Sequence, residues 1–370
     1  MRRLATIRVI SDIKPIPKAD KIEVAQIDGW QVVVSKNEEF SIGDKVVYIE
    51  IDSKMPEKPE YEFLKSRKYI VKTIKLRGQV SQGLVLPLSV LPKGDHRLIK
   101  YEVGDDVTDI LGVTKYDPEA EQEEKVLLNN KKKVKNPIVK FLLRFKWFRK
   151  RYLKSKGSGK TNFPSWIKKT DEERIQNMPI LFNELKNDGI ALSVTEKVDG
   201  TSATYFLKRI KKNKFEFGVC SRNRSIPAED NSYYWNVARK YKIKDALQSL
   251  IGDREWIVLQ GEITGEGIQG NKYLSDEGER FWVFNLISPD GRTTTEEMQP
   301  ILLKYGIYTV PIVDNKFVIP KEWEISDLVN YVTGKSQIHP REREGCVFRN
   351  VEKNVSFKCI NLEFLLKNDL

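Results

Sequence analysis

A lysine, a carboxylate and a glycine stand within four residues at the end of an apolar segment. Lys197-Val198-Asp199-Gly200 follows residues 190–194, which read as a β-strand. A lysine amine attacks phosphorus only when uncharged, so a nucleophilic lysine needs a rigid element and surroundings that lower its pKa. The tetrapeptide alone decides little, because a lysine after a strand is most often a solvated surface charge. The residues downstream have to supply the rest of a site.

Further groups suited to phosphate or nucleotide chemistry follow in order, each beside an apolar run. They are Arg222, Glu262, Phe284, Glu344 and Lys358. Arginine offers a forked cation for phosphate or ribose oxygens. An aromatic ring on a strand can stack on a base. With two carboxylates and a second lysine, the series contains the groups that phosphoryl transfer uses.

This order of motifs resembles the covalent nucleotidyltransferase superfamily of polynucleotide ligases and capping enzymes. Within it, the chain looks like the ATP-dependent RNA ligases that seal nicks and carry an N-terminal OB-fold module. The resemblance implies that Lys197 is the adenylated nucleophile and that Lys358 contacts the nucleotide phosphate. It also implies that Glu262 holds the ribose and that Phe284 stacks on the purine, while Glu344 binds the metal through waters.

The same resemblance implies the cofactors ATP and Mg²⁺ or Mn²⁺. Asp199, Glu262 and Glu344 would serve the metal, and a cationic environment would depress the pKa of Lys197. The nucleotide site would also include Glu196 and Arg222. Lys169, Thr170 and Gln176 are added because RNA ligases of this clade carry a similar segment before the nucleophile. The Thr170/Glu173 spacing alone predicts a capping box and a short helix there.

Two positions depart from the family pattern. Ser356 stands where the first of two lysines is usual in the last motif, so only Lys358 carries over. Related nick-sealing ligases often follow the aromatic residue with aspartate, whereas this chain has Asn285. A charge-dependent role at that position is therefore in doubt.

The first 110 or so residues contain short β-branched runs punctuated by glycine and proline, which predicts a small barrel. The runs cover residues 3–9, 22–27, 31–34, 46–51, 69–74 and 83–86. Lys72, Lys75 and Arg77 lie on a basic, glycine-bent strand pair similar to that of OB modules that bind RNA. A barrel that closes its own edge with a glycine bulge explains the glycines equally well.

The predicted fold class is α+β. An OB-like, RNA-binding module (residues 1–113) precedes a charged linker (114–160) and an adenylyltransferase domain (161–370), whose antiparallel sheets with helices are similar to an ATP-grasp arrangement. DNA ligases and capping enzymes carry an OB domain after the last lysine motif, but only twelve residues follow Lys358. That is too few for a domain, so the extra module is expected at the front.

The linker carries the excess charge of the chain. Residues 131–160 hold thirteen Lys and Arg and no Asp or Glu, against a formal net charge of +12 for the whole protein. Residues 137–153 have helical spacing, and Arg149, Lys150 and Arg151 are the predicted RNA contacts. Packing on a domain or lying on an anionic membrane surface remain alternatives.

The remaining composition excludes several classes of protein. There is no apolar run of membrane-spanning length and no cleavable-signal pattern, so a soluble, intracellular protein without membrane insertion is expected. Three unclustered cysteines in apolar strands predict core packing. The two histidines, in polar loops, make a histidine-based mechanism improbable.

The sequence therefore predicts an ATP-dependent RNA ligase that joins 3′-hydroxyl and 5′-phosphate ends. It would seal nicks in duplex RNA through lysyl-AMP and RNA-adenylate intermediates. A DNA ligase, a capping-type nucleotidyltransferase and a non-catalytic RNA-binding protein remain the alternatives.

Overall fold

The computed structural model describes residues 3–92, 100–116, 142, 162–227, 232–268 and 278–368. The chain divides into two compact units, residues 1–157 with 369–370, and residues 158–368. Both units contain β-sheets and helices. The three predicted segment boundaries stay a prediction.

The N-terminal unit is built from short strands. They are β1 (Ala5–Val9), β2 (Asp12–Pro15), β3 (Ile22–Ile27), β4 (Trp30–Ser35), β5 (Lys45–Ile49), β6 (Ser53–Lys54), β7 (Ile70–Val71), β8 (Thr73–Leu76), β9 (Gln79–Gln82), β10 (Leu84–Pro87) and β11 (Thr114–Lys115), with helix α1 (Thr108–Leu111). They form sheets with the orders β1-β5-β10, β2-β3-β4, β8-β9 and β11-β6-β7. Short 3₁₀ segments cover Lys36–Glu38, Pro59–Arg67 and Leu88–Val90.

The alternation of buried and less buried residues along each strand explains how this unit forms its core. In β4, Trp30, Val32 and Val34 are buried and the residues between them are half-buried, which is the period of two that places one strand face in a core. The β8–β9 hairpin closes through Arg77-Gly78, whose positive φ angles of 51° and 89° suit a two-residue hairpin turn. The strand runs predicted from the sequence are confirmed.

The C-terminal unit contains eleven strands among the described residues. They are β12 (Leu192–Glu196), β13 (Thr201–Lys211), β14 (Lys214–Ser221), β15 (Ser225–Ile226), β16 (Trp256–Thr264), β17 (Arg280–Ser288), β18 (Gly291–Arg292), β19 (Tyr308–Thr309), β20 (Ile312–Phe317), β21 (Gly345–Asn350) and β22 (Val355–Ile360). The helices are α2 (Pro179–Asp188), α3 (Tyr233–Lys240), α4 (Ile243–Leu250), α5 (Thr295–Leu303), α6 (Ile325–Tyr331) and α7 (Leu362–Asn368).

Two sheets organise this unit. The smaller has the order β20-β12-β21-β22, and the larger has the order β15-β14-β13-β16-β17-β18 with β19 beside β17. The β17–β19 pair is parallel, and the neighbours in the two strand orders pair antiparallel. This arrangement agrees with the predicted fold class.

Each sheet buries one face under helices. Buried residues of α3 and α4 recur at helical spacing and join the core of the larger sheet. On β21 and β22, Cys346, Phe348, Phe357 and Cys359 belong to the core of the smaller sheet. Strand alternation then leaves Lys358 and its neighbours on the opposite face. All three cysteines are free and buried, as the sequence predicted.

The short helix predicted from the Thr170/Glu173 capping box is wrong. Residues 168–173 have no regular structure, and a 3₁₀ turn begins only at Ile175. The Thr170 hydroxyl lies 3.0 Å from Ser202 Oγ. Glu173 instead accepts hydrogen bonds from the Arg174 amide and the Asn177 side chain, both at 2.9 Å. A tertiary contact of Thr170 and different local contacts of Glu173 have replaced the predicted cap.

The basic linker lies outside the described residues apart from Leu142, so the predicted helix and the roles of Arg149, Lys150 and Arg151 stay predictions. Among the residues that the structure describes, none of the helices has the length and apolar character needed to cross a membrane.

Candidate active site

Lys197 is held at the end of the central strand of the smaller sheet. It directly follows β12, which pairs with β20 on one side and β21 on the other. The Lys197 amide donates to the Gly345 carbonyl at 2.9 Å. The Nζ atom lies 2.6 Å from Glu344 Oε2. A lysine anchored in this way meets the requirement for a rigidly placed nucleophile.

Gly200 allows the chain after Lys197 to turn tightly against β16. A Cβ atom added at Gly200 would lie 2.3 Å from the Ile263 carbonyl oxygen and 3.1 Å from Glu262 Cγ. Any other residue would push β16 away, because real Cβ atoms do not approach backbone this closely. The glycine of the motif therefore brings Glu262 to the lysine.

Three carboxylates surround the lysine and decide its protonation. Burial of the amine lowers the pKa of Lys197, but the negative charges of Glu344 and Glu262, joined by Asp199, outweigh it and raise that pKa. The depression of this pKa that a bound metal and Lys358 would cause stays a prediction. The amine is an ammonium ion at neutral pH.

Burial shifts the pKa of Glu262 upward, in the opposite direction from its effect on the pKa of Lys197. Removal from water raises the pKa of Glu262 to about 8, although the nearby Lys197 ammonium lowers it. Glu344 and Asp199 add to the rise by like-charge repulsion. Glu262 therefore keeps its proton to a higher pH than an ordinary glutamate does.

Two further cations share one carboxylate. Arg222 Nη2 lies 3.2 Å from Asp171 Oδ1, and Lys358 Nζ lies 3.6 Å from the same atom. The Lys358 amide donates to the Glu173 carbonyl at 2.8 Å. Asp171 thus occupies the place between the cations that an anionic phosphate group would take.

Phe284 lies in β17 and is part of a small apolar cluster with Val198. Arg349 fixes it from the smaller sheet, since Arg349 Nη1 donates to the Phe284 carbonyl at 2.9 Å and the guanidinium carbon lies 5.9 Å from the ring centre. The strand carrying the predicted base platform is thereby tied to the sheet that carries the lysine.

The segment before the nucleophile contacts both sheets. Thr170 contacts Ser202 of β13, Lys169 Nζ donates to Asn223 at 3.1 Å, and Asp171 contacts Lys358 of β22. Gln176 is 1 % exposed, and its Oε1 accepts no hydrogen bond from the described residues. Residues 168–174 therefore form a strap across the site.

The comparisons with known proteins agree with this geometry. An RNA ligase family model matches residues 190–361, and an OB-fold domain model matches residues 4–88. The Naegleria gruberi RNA ligase with PPi is 33% identical with a TM-score of 0.76, and the match covers 100% of this chain and 99% of that one. The chain belongs to the RNA ligase family.

Two further structures of the Naegleria gruberi enzyme are equally similar at 33% identity. A lysine-to-methionine variant with AMP and Mn has a TM-score of 0.77, with 100% of this chain and 99% of that chain covered. A lysine-to-alanine variant with ATP and Mn has a TM-score of 0.76, with 99% of each chain covered. A search of curated proteins finds no match. The predicted family and its order of modules are confirmed.

The Glu196 carboxylate of this RNA ligase is hydrogen-bonded to other residues of the protein. Its carboxylate accepts hydrogen bonds from the Ser336 hydroxyl and, at 2.8 Å, from the Gln337 amide. Burial raises the pKa of Glu196, and these two bonds oppose the rise. The side chain holds the 336–337 loop beside the lysine strand, and its predicted contact with the cofactor stays a prediction.

Asn285 has a positioning contact that needs an amide. Its Nδ2 donates to Gln260 Oε1 at 2.8 Å, and Gln260 Nε2 donates to the Lys168 carbonyl at 3.0 Å. An aspartate at position 285 could not donate to Gln260 in this orientation. Asn285 thus links β17 through Gln260 to the start of the strap.

Sequence reasoning missed Asp171, Glu172 and Arg349. Glu172 Oε1 accepts from Arg349 Nη2 at 3.0 Å, and burial of Glu172 is outweighed by Arg349 and a Ser356 hydrogen bond, so its pKa is lowered. The acidic run 171–173 was the available signal, but its spacing was assigned to a helix cap. The charge opposite Ser356 comes from Arg349, its register partner on β21.

The donor set fits a hard, partly hydrated cation. Among the described residues, no group of three His, Cys, Asp or Glu side chains is close enough to enclose a metal. Glu262, Glu344 and Asp199 nevertheless converge on Lys197 and offer only oxygen atoms. Mg²⁺ and Mn²⁺ accept such ligands, and Mg²⁺ commonly keeps several waters. The metal roles of these residues stay proposals.

Metal affinity should depend on pH through Glu262. Below a pKa of about 8, this carboxyl group must lose its proton before it can serve a cation. We expect the Mn²⁺ affinity of the nucleotide-free ligase to rise by up to about tenfold per pH unit from pH 6 to 8 and then level off. Calorimetric titration at four pH values measures this, with Glu262→Gln as the variant that flattens the profile. Equal wild-type affinity at pH 6 and pH 8 would contradict it.

Proposed function

We propose that this RNA ligase uses ATP and a divalent cation to join RNA 3′-hydroxyl and 5′-phosphate ends at nicks in duplex RNA. The observation that carries the proposal is the contact of Lys197 Nζ with Glu344, 2.6 Å long, in a site that also holds Glu262 and Lys358. Support comes from the similar Naegleria gruberi structures with ATP and Mn, AMP and Mn, and PPi.

In the first step, Lys197 has to lose its proton. The ammonium form is stabilised by Glu344 and Glu262, so their charges must be engaged elsewhere before attack. A divalent cation at these carboxylates supplies that charge neutralisation when it is bound. The neutral Nζ then bonds to the α-phosphorus of ATP as the bond to pyrophosphate breaks, leaving a lysyl-AMP phosphoramidate.

Lys358 and Arg222 are placed to neutralise the phosphate during this step. Both cations contact Asp171 in the nucleotide-free protein. An incoming phosphate oxygen replaces the carboxylate between them and finds two fixed donors, so little reorganisation is needed. Phe284 provides a ring for the base, and Arg349 keeps its strand in place.

The second and third steps reuse the same groups. A 5′-phosphate oxygen of RNA bonds to the adenylyl phosphorus while the nitrogen–phosphorus bond breaks, and Lys197 takes up a proton again. The 3′-hydroxyl then attacks the activated 5′-phosphorus, AMP leaves, and the strand is sealed. The protein positions the ends and screens negative charge throughout.

The front module is proposed to hold RNA. Lys72, Lys75 and Arg77 are exposed around the β8–β9 hairpin. Three cations on one hairpin can neutralise phosphates, so binding would weaken with salt. Arg149, Lys150 and Arg151 are proposed for the same role, although they lie outside the described residues.

Substrate preference tests the proposal. We expect the purified ligase, with ATP and Mn²⁺ or Mg²⁺, to seal a nicked RNA duplex faster than single-stranded RNA ends. Matched nicked DNA duplex serves as the control substrate, and denaturing gels measure the joined strand. Preference for the DNA nick would favour a DNA ligase, while labelling by GTP in preference to ATP would favour a capping-type enzyme.

A further inference from the structure

A pocket opens beside Phe284, and neither Lys197 nor its three neighbouring carboxylates line it. Its volume is about 240 Å³. Its walls come from the start of β12, from β18 and the N-terminal turn of α5, and from the ends of β20 and β21. Ser193 lines it four residues before Lys197, which corresponds to about 13 Å along an extended strand. Phe284 is the one group assigned to the nucleotide that lines this pocket, and Lys197, Lys358 and Arg222 do not.

Arg292 is the notable side chain of this pocket. It is half-buried at the end of β18, yet its guanidinium forms no hydrogen bond or ion pair with any described residue. Burial lowers the pKa of Arg292, and the charge of Arg349 lowers it further, while Glu172 acts against this. A guanidinium has five donors, and no Arg292 nitrogen is among the buried atoms that lack a partner, so these donors face the open pocket.

Among the described residues, no carboxylate forms an ion pair with Arg292. Arg349 lines the same pocket and is 7 % exposed, but its donors go to Glu172, Phe284 and Ser356. The carboxylate of Glu296 is held by the Ser193 hydroxyl at 3.2 Å. Lys316 adds a further cation and Glu352 a further carboxylate to the lining. The lining therefore carries three cations, Arg292, Lys316 and Arg349, against the two carboxylates of Glu296 and Glu352.

The pocket also has donors beyond its arginines. The N-terminus of α5, nine residues long, lies in its wall with Thr293 and Thr295. The positive end of a helix favours anions. Asn315 and Asn350 add side-chain amides. A cation-walled, hydroxyl- and amide-lined pocket of this size fits a phosphate group.

We propose that the pocket is a subsite for a backbone phosphate of the RNA strand, with Arg292 as its main contact. This deepens the proposed function and rests on it. RNA is favoured over a free nucleotide because Lys358 and Arg222, which the proposed function assigns to the nucleotide phosphate, do not line this pocket. An RNA strand bound at Lys197 carries further backbone phosphates along its length that can reach this pocket, whereas a free nucleotide has none.

The experiment compares Arg292→Gln with the wild-type ligase. Binding of a nicked RNA duplex, without ATP, is measured by fluorescence anisotropy over a range of salt concentrations. We expect the RNA Kd of Arg292→Gln to rise about tenfold at low salt, as for a lost hydrogen bond between charged groups. The slope of log Kd against log salt should fall by about one unit, as expected when one phosphate contact is lost.

Arg239→Gln is the matched control, since it makes the same charge change on an exposed face of α3 in the same unit. The Arg239→Gln variant should retain a larger share of the wild-type RNA affinity than Arg292→Gln does. Burial and the nearby Arg349 both disfavour the positive charge of Arg292. Removing that charge in Arg292→Gln should therefore leave the melting temperature unchanged or raise it. Unchanged RNA affinity and slope would overturn the subsite.

The ATP dependence of self-labelling separates the possible ligands. Arg292→Gln should keep the wild-type KM for ATP. A raised KM for ATP with unchanged RNA binding would assign the pocket to the nucleotide and overturn the proposal. A wild-type protein that neither labels with ATP nor seals RNA would instead count against the proposed function, whatever Arg292→Gln does to RNA binding.

Discussion

Replacing Lys197 with alanine is expected to reduce covalent labelling of this RNA ligase by α-³²P-labelled ATP to background. The amine is the only group of the site placed to form a phosphoramidate among the described residues, because Lys358 is directed to Asp171 on the phosphate side. Denaturing gels after incubation with ATP and Mn²⁺ measure the label. Lys197→Arg keeps the charge beside Glu344 but should also fail to label.

Lys304→Ala is the control for this loss. Lys304 is an exposed lysine of the same unit, just after α5, and its removal should leave labelling unchanged. Thermal unfolding of Lys197→Arg should match the wild type, since the ion pair with Glu344 is kept. Persistent label on folded Lys197→Ala would contradict the assignment of the nucleophile.

Lys358→Ala is expected to give the second large effect, a fall of about 10²- to 10³-fold in the rate of lysyl-AMP formation. Its ammonium group is one of two cations that meet at Asp171, where we place the nucleotide phosphate. Without it, negative charge developing on the phosphate would be met by Arg222 alone. Single-turnover labelling at saturating ATP measures the rate.

Lys353→Ala provides a matched comparison, because Lys353 is exposed in the turn of the same β21–β22 hairpin. It should label at the wild-type rate. If Lys358→Ala raised only the KM for ATP and left the rate at saturation unchanged, Lys358 would assist binding of ground-state ATP and not the transfer.

The order of strands and motifs was readable from the sequence because strand burial has a simple period. Apolar runs before Lys197, Glu262 and Lys358 predicted strands. Antiparallel pairing of β12 with β21 then places Glu344, just before β21, beside Lys197, just after β12. Gly200 was recognisable as a tight turn, and the structure explains it by the close approach of β16. Family resemblance supplied the roles that spacing alone could not.

The sequence did not reveal what depends on cross-strand register. Arg349 and Ser356 face each other only because β21 and β22 pair as they do, and Glu172 reaches them from 177 residues away in the chain. The Thr170 contact with Ser202 overrode a local capping pattern for the same reason. The raised pKa of Lys197 required the positions of Glu344 and Glu262, which no linear spacing gives.

The central claim is tested most directly by following one labelled AMP group. The ligase is incubated with α-³²P-labelled ATP and Mn²⁺, freed of ATP, and then given a nicked RNA duplex. We predict acid-resistant, hydroxylamine-labile label on the protein that disappears as the RNA strand becomes sealed. Protein that never acquires label, or label that stays on Lys197 while RNA remains nicked, would contradict the account.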